Sequence, residues 1–218
     1  MTITIREPGS AITHFIAMIL ALVGALPLLF RASLAGDSSV FTALAVFITS
    51  MILLYGASTL YHSVNLEGKY LEFFRKIDHM MIFVLIAGSY TPICVITLGG
   101  QLGYSLLLLI WGIALVGMLI KALWIKCPKW FSSIIYIAMG WVCATVFGKL
   151  YHALPTAAFV WLLIGGIIYT IGGVIYALKL PIFNAKHKNF GSHEIFHLFV
   201  MGGSICHFMC MFTIIPIR

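Results

Sequence analysis

Uncharged apolar runs alternate along the chain with short segments that hold nearly all of its Lys, Arg, Asp and Glu. Six intervals carry no such charge: Pro8 to Phe30, Ser38 to Leu66, His79 to Ile120, Trp130 to Gly148, Leu150 to Leu178 and Ile195 to Ile217. A charge at mid-bilayer costs several kcal/mol, so a membrane span can run only where charge is missing. A spanning helix takes about 20 residues at 1.5 Å rise each, and the third interval is twice that long. Its interruption is legible at Thr97-Leu98-Gly99-Gly100-Gln101-Leu102-Gly103, where Gly99, Gly100 and Gly103 mark a turn. The pattern therefore predicts an all-α fold, a polytopic seven-transmembrane helix bundle forming a single membrane domain over residues 1–218. The predicted spans lie near 11–30, 40–62, 77–97, 103–124, 132–149, 157–178 and 193–215.

Seven crossings put the N-terminus and the loops after spans 2, 4 and 6 on one side. That side holds Arg6, Lys69, Arg75, Lys76, Lys121, Lys126, Lys129, Lys179, Lys186 and Lys188, against Arg31, Lys149 and Arg218 on the other. By the positive-inside rule the N-terminus is cytoplasmic and the C-terminus outside. Composition agrees with membrane residence: 62% of residues are apolar and 9% charged, where a soluble domain carries about 25% charged residues. The net charge of +7 reports orientation, and no nucleic-acid partner is expected. Cys94, Cys127, Cys143, Cys206 and Cys210 are odd in number and mostly within apolar runs, which predicts reduced thiols. Ser33-Leu34-Ala35 has the small-x-small form of a cleavage site, yet the preceding run is too long for a signal peptide, so the first span is expected to be retained. Gly165-Gly166 and Gly172-Gly173 can pack within or between chains and leave the oligomeric state open.

The chemistry sits at one membrane level. Span 2 ends with Ser58 and His62, four apart and so on one helical face. Span 3 begins with Asp78-His79, span 7 with Ser192-His193-Glu194-Ile195-Phe196-His197, and span 1 with Glu7, Ser10, Thr13 and His14. Four helices thus bring polar groups to the same edge, where burial needs a partner or a purpose. His193 and His197 stack at i, i+4, a spacing that lets both reach one ion. Two readings follow. In a His-Glu-x-x-His protease, Glu194 is the general base; in a three-histidine site, His62 is the third ligand, with Asp78 and Ser58 beside the open position. Zn2+ suits either donor set. His79 and His14 read as structural groups or as supports behind the ligands, and Cys206-His207-x-x-Cys210 lies too far along span 7 to share that metal, its cysteines reading as small core residues. Gly88-Ser89-Tyr90-Thr91-Pro92 predicts a kink in span 3.

The ordered set Glu7…Thr13-His14, Ser58-x-x-x-His62, Asp78-His79…Gly88-Ser89-Tyr90-Thr91-Pro92 and Ser192-His193-x-x-x-His197 resembles the bacterial hemolysin III branch of the progestin and adipoQ receptor family, over nearly the whole chain. The resemblance implies residence in the bacterial inner (plasma) membrane and a zinc held by His62, His193 and His197. It also implies Asp78 and Ser58 as neighbours of that metal, and membrane lipids as partners. It further implies hydrolysis of a lipid amide or ester, a role in membrane fluidity and energetic homeostasis, and, by its name, cytolysis. The position occupied by Glu194 varies in that family, which disfavours the protease reading. Three functions remain: a zinc-dependent hydrolase of a lipid acyl substrate, a non-enzymatic lipid-state regulator with a structural zinc, and a cytolytic pore. The pore ranks last, because the polar cluster is confined to one edge.

Overall fold

A computed structural model describes residues 5–178 and 190–216. Among the described residues the chain is helical throughout, and seven helices are long and apolar enough to cross a membrane. They comprise α1 (Pro8–Leu34), α2 (Ser38–Ser63), α3 (Gly68–Pro92), α4 (Gly100–Leu123), α5 with α6 (Lys129–Gly140 and Phe147–Ala153), α7 (Thr156–Leu178) and α8 (Ser192–Thr213). The basic segment with Lys179, Lys186 and Lys188 lies outside the described residues.

Local sequence explains where these helices start, break and stop. Pro8 opens α1, where a missing N–H costs nothing, and Asp37 caps α2 by accepting from the Ser39 amide at 2.8 Å. Helix α3 begins at Gly68, earlier than the uncharged run suggests, because Lys69, Glu72, Arg75 and Lys76 form a charged helical turn; Lys76 pairs with Glu72 at 3.4 Å. Pro92 does not end it. The helix widens into a π-helical turn over Ile93–Leu98 and stops at Gly99, whose φ of 56° suits glycine.

The fifth span is broken by a 3-10 stretch over Trp141–Val146, and hydroxyl groups cover the exposed backbone there. Tyr90 donates to the Gly140 carbonyl at 2.7 Å and accepts from the Cys143 amide at 2.8 Å, while the Trp141 indole donates to Thr170 at 2.8 Å. Without water to satisfy them, such groups require partners inside the bundle.

The core follows the same constraint. One cluster centres on Leu44, Phe47, Tyr55, Leu150 and Met211, and a second on Phe83, Ala87, Ile110 and Met139. Polar links join helices across it: the Tyr55 hydroxyl bonds Ser204 at 2.6 Å, and Tyr169 meets the same Ser204 at 2.7 Å, tying α2, α7 and α8. Lys121, 2% exposed, hydrogen-bonds Ser132 and lies 3.1 Å from the Cys127 sulfur, fastening α4 to the start of α5.

Close helix contact rests on small residues. A Cβ added at Gly117 would land on the Phe83 ring, whereas one at Gly112 meets nothing within 4 Å. Gly117→Val is expected to lower stability by about 1–3 kcal/mol, the usual cost of overpacking, and Gly112→Val to leave it unchanged. Thermal unfolding of the two variants in detergent checks the pair.

Candidate metal centre

The end of α2, the start of α8 and the residues entering α1 meet at one end of the bundle. The Glu7 amide donates to the His62 carbonyl at 3.0 Å, and the Arg6 guanidinium donates to the Tyr61 carbonyl at 2.9 Å, so the entry to α1 closes over the C-terminus of α2. Ser10 hydrogen-bonds one oxygen of Glu194, and the other accepts from the Gly191 amide at 2.8 Å, which seats the first turn of α8. Both oxygens of Glu194 are engaged in this docking, so its role here is that of a helix cap.

His62, His193 and His197 each place a ring nitrogen within 4.8 Å of the others, and His62 and His197 are only 2% exposed. The Nε2 atoms of His62 and His193 stand 3.4 Å apart. That is longer than a good N–H···N contact, and it matches the roughly 3.3 Å that separates two nitrogens held at about 2.0–2.1 Å by a tetrahedral zinc. Three imidazoles with converging free nitrogens are a donor set that fits Zn2+.

Two of the outer nitrogens are oriented by residues at the start of α1. The Thr13 hydroxyl donates to backbone carbonyls of Gly9 and Ser10, at 3.0 and 2.9 Å, so its oxygen accepts from His197 Nδ1 at 3.2 Å. The Glu7 carboxylate in turn accepts from His62 Nδ1. Both contacts protonate Nδ1 and turn the Nε2 lone pair inward, the arrangement that carboxylates and hydroxyls give metal-binding histidines. The hydrogen bond from His62, with the Arg6 guanidinium alongside, holds the Glu7 carboxyl below the usual carboxylate range despite partial burial.

Beside the histidines opens a cavity of about 180 Å³, lined mainly by apolar and aromatic side chains. Its polar end carries Ser58, Asp78, His14, His193 and His197, and its walls continue past Ile86, Leu162 and Val200 to His207. Asp78 is buried and accepts from His79 Nδ1 at 3.2 Å. His79 also lines the cavity, as a supporting partner of Asp78. His14 is similarly drawn into the site: 4% exposed, it stacks on His197 with centroids 3.6 Å apart. All five cysteines are free, and among the described residues the group able to hold a metal is the histidine trio.

The family profile described as "Haemolysin-III related" matches residues 3–208. The chain belongs to that family. Its relatives include Hemolysin-3 of Bacillus cereus, 39% identical over 97% of this chain and 93% of that protein. The Hemolysin-3 homolog of Bacillus subtilis is 37% identical over 95% and 94%. A more distant relative is the Adiponectin receptor protein of Drosophila melanogaster, 23% identical over 93% of this chain and 49% of its own length. No solved structure matches the chain. With seven spanning helices, this haemolysin-III-related protein is a multi-pass membrane protein.

What the sequence did not reveal in this family member is the supporting role of Glu7 and Thr13. The sequence brings both to the same membrane edge, but only packing against α2 and α8 assigns each to a histidine. Glu7→Gln and Thr13→Val are each expected to weaken metal retention about 10- to 100-fold while leaving helix content unchanged; chelator competition on the purified variants measures this.

Proposed function

We propose that this haemolysin-III-related protein is an integral membrane zinc hydrolase that cleaves a lipid amide or ester bond. The observation that carries the reading is the placement of His193 and His197 on an apolar cavity that also presents Asp78 and Ser58, with His62 converging on the same two histidines.

In this reading the three histidines hold Zn2+ through their inward nitrogens. When bound, zinc supplies Lewis-acid polarisation of the acyl carbonyl and makes water nucleophilic near neutral pH. Asp78 accepts the proton of the attacking water and returns it to the leaving amine or alcohol. His79, donating to one Asp78 oxygen at 3.2 Å, leaves the other for that task. Ser58, 1% exposed and one turn from His62 on α2, donates a hydrogen bond to the oxygen that gains charge as the carbonyl is attacked. The apolar walls hold the acyl chain and keep bulk water away.

The donor set favours turnover over a structural role. A structural zinc takes four protein ligands, and Glu194, the carboxylate nearest in sequence to the pair on α8, is committed to Ser10 and Gly191. Following the distribution of Lys and Arg, this reading places the metal at the cytoplasmic edge of a bacterial inner membrane, with the N-terminus inside. There the enzyme would adjust membrane lipid composition and fluidity, with consequences for energetic homeostasis.

Turnover of fluorogenic ceramide and phospholipid analogues by the purified protein tests the assignment. Asp78→Asn is expected to retain metal and lose about 10²- to 10⁴-fold in rate, and Ser58→Ala about 10²-fold. Hydrolysis that persists after His193→Ala combined with His197→Ala contradicts the proposal.

A further inference from the structure

Far from the histidine trio, the cavity wall holds a polar group that bond cleavage does not use. His207 lines the cavity from α8, and its place fourteen residues beyond His193 sets it about 21 Å further along the helix. Both of its ring nitrogens are buried, and neither completes a hydrogen bond among the described residues. A backbone acceptor beside the ring, the Leu162 carbonyl, falls short of hydrogen-bond geometry. Reaching it would serve one nitrogen only, because a neutral imidazole carries one donor and one acceptor.

The hydroxyls along this stretch of wall are committed to other partners. Ser204, one turn before His207, receives the Tyr55 hydroxyl at 2.6 Å and meets Tyr169 at 2.7 Å. Thr170 donates to the Gly166 carbonyl at 2.7 Å and accepts from Trp141, while Tyr90 bridges the Gly140 carbonyl and the Cys143 amide. Tyr169 meets the imidazole edge-on, with centroids 5.2 Å apart. Cys206 and Cys210 form no metal-holding group with His207 among the described residues. Yet the fold makes room for this ring: a Cβ at Gly165 on α7 would fall 2.4 Å from it, so only glycine lets the two helices close around the imidazole. A buried polar atom without a partner is costly, and the cavity is the side from which a partner can come.

From this unmet demand in an otherwise apolar stretch, we infer that the cavity takes an acyl lipid hydroxylated in the distal half of its chain, with the hydroxyl bonded to His207. The inference rests on the lipid reading of the cavity given above and narrows its ligand from acyl lipids in general to chain-hydroxylated ones. A hydroxyl donates and accepts, so it suits either tautomer of the imidazole, whereas a plain methylene chain satisfies neither nitrogen. With the carbonyl of the lipid at the histidine trio, His207 is too distant to meet carbons next to that carbonyl.

Four probes of equal chain length test this: stearate, and stearates hydroxylated at the sixth, the twelfth or the last carbon. Binding to the full-length protein in detergent is read by displacement of a dibrominated stearate, whose bromines quench tryptophan; Trp141 lines the cavity. The twelfth- or last-carbon isomer is expected to bind roughly five- to tenfold more tightly than the sixth-carbon isomer, whose hydroxyl is buried without a partner. His207→Phe, which keeps a ring against Gly165, is expected to erase that difference. The positional series uses the unaltered protein, so it stands even where the variant folds poorly. Equal affinities for the three isomers, tightest binding of the sixth-carbon isomer, or a distal preference that persists in His207→Phe overturns the inference and leaves the lipid reading intact. Failure of the brominated reporter and of all four probes to bind overturns both.

Discussion

Everything at the functional end of this bundle depends on keeping three imidazoles close together in a place where water cannot satisfy them. His62, His193 and His197 converge within 4.8 Å, and a buried polar nitrogen without a partner is costly in an apolar surround. The chain meets that requirement with protein groups on the outer side of two of the three rings. Glu7 and Thr13 occupy the outer nitrogens of His62 and His197. Ser10 and Glu194 lock α1 to α8 so that the histidines cannot drift apart. The inner nitrogens are left converging on a common point, and an ion is the partner whose geometry suits them.

Much of this was legible from residue order alone. A charge-free run long enough to span predicts a helix directly, and the turn at Gly99 is announced by its glycines. The coincidence of His62, Asp78 and the His193/His197 pair at one membrane edge follows from counting crossings, and the structure brings Ser58, Asp78, His193 and His197 to a single cavity with His62 against His193.

Other features depend on tertiary contacts that no local pattern encodes. The 3-10 break at Trp141–Val146 persists because Tyr90 and Thr170, from other helices, bond to the residues around it. The passage of α3 through Pro92 needs a π-helical turn, which hydropathy cannot distinguish from a kink. His79 is set about 100° from Asp78 on an ideal helix, yet its ring reaches back to the carboxylate and shares the cavity. His14 has no metal-like spacing to any other histidine in α1, and its stack against His197 exists only because α1 packs on α8.

The central claim is that the histidine trio is a metal site, and metal stoichiometry tests it most directly. Elemental analysis of the gently purified protein, beside His62→Ala and His193→Ala variants of confirmed fold, is expected to show about one zinc per chain in the first and little in either variant. Absence of metal from the unaltered protein, or undiminished zinc after both substitutions, would contradict the account.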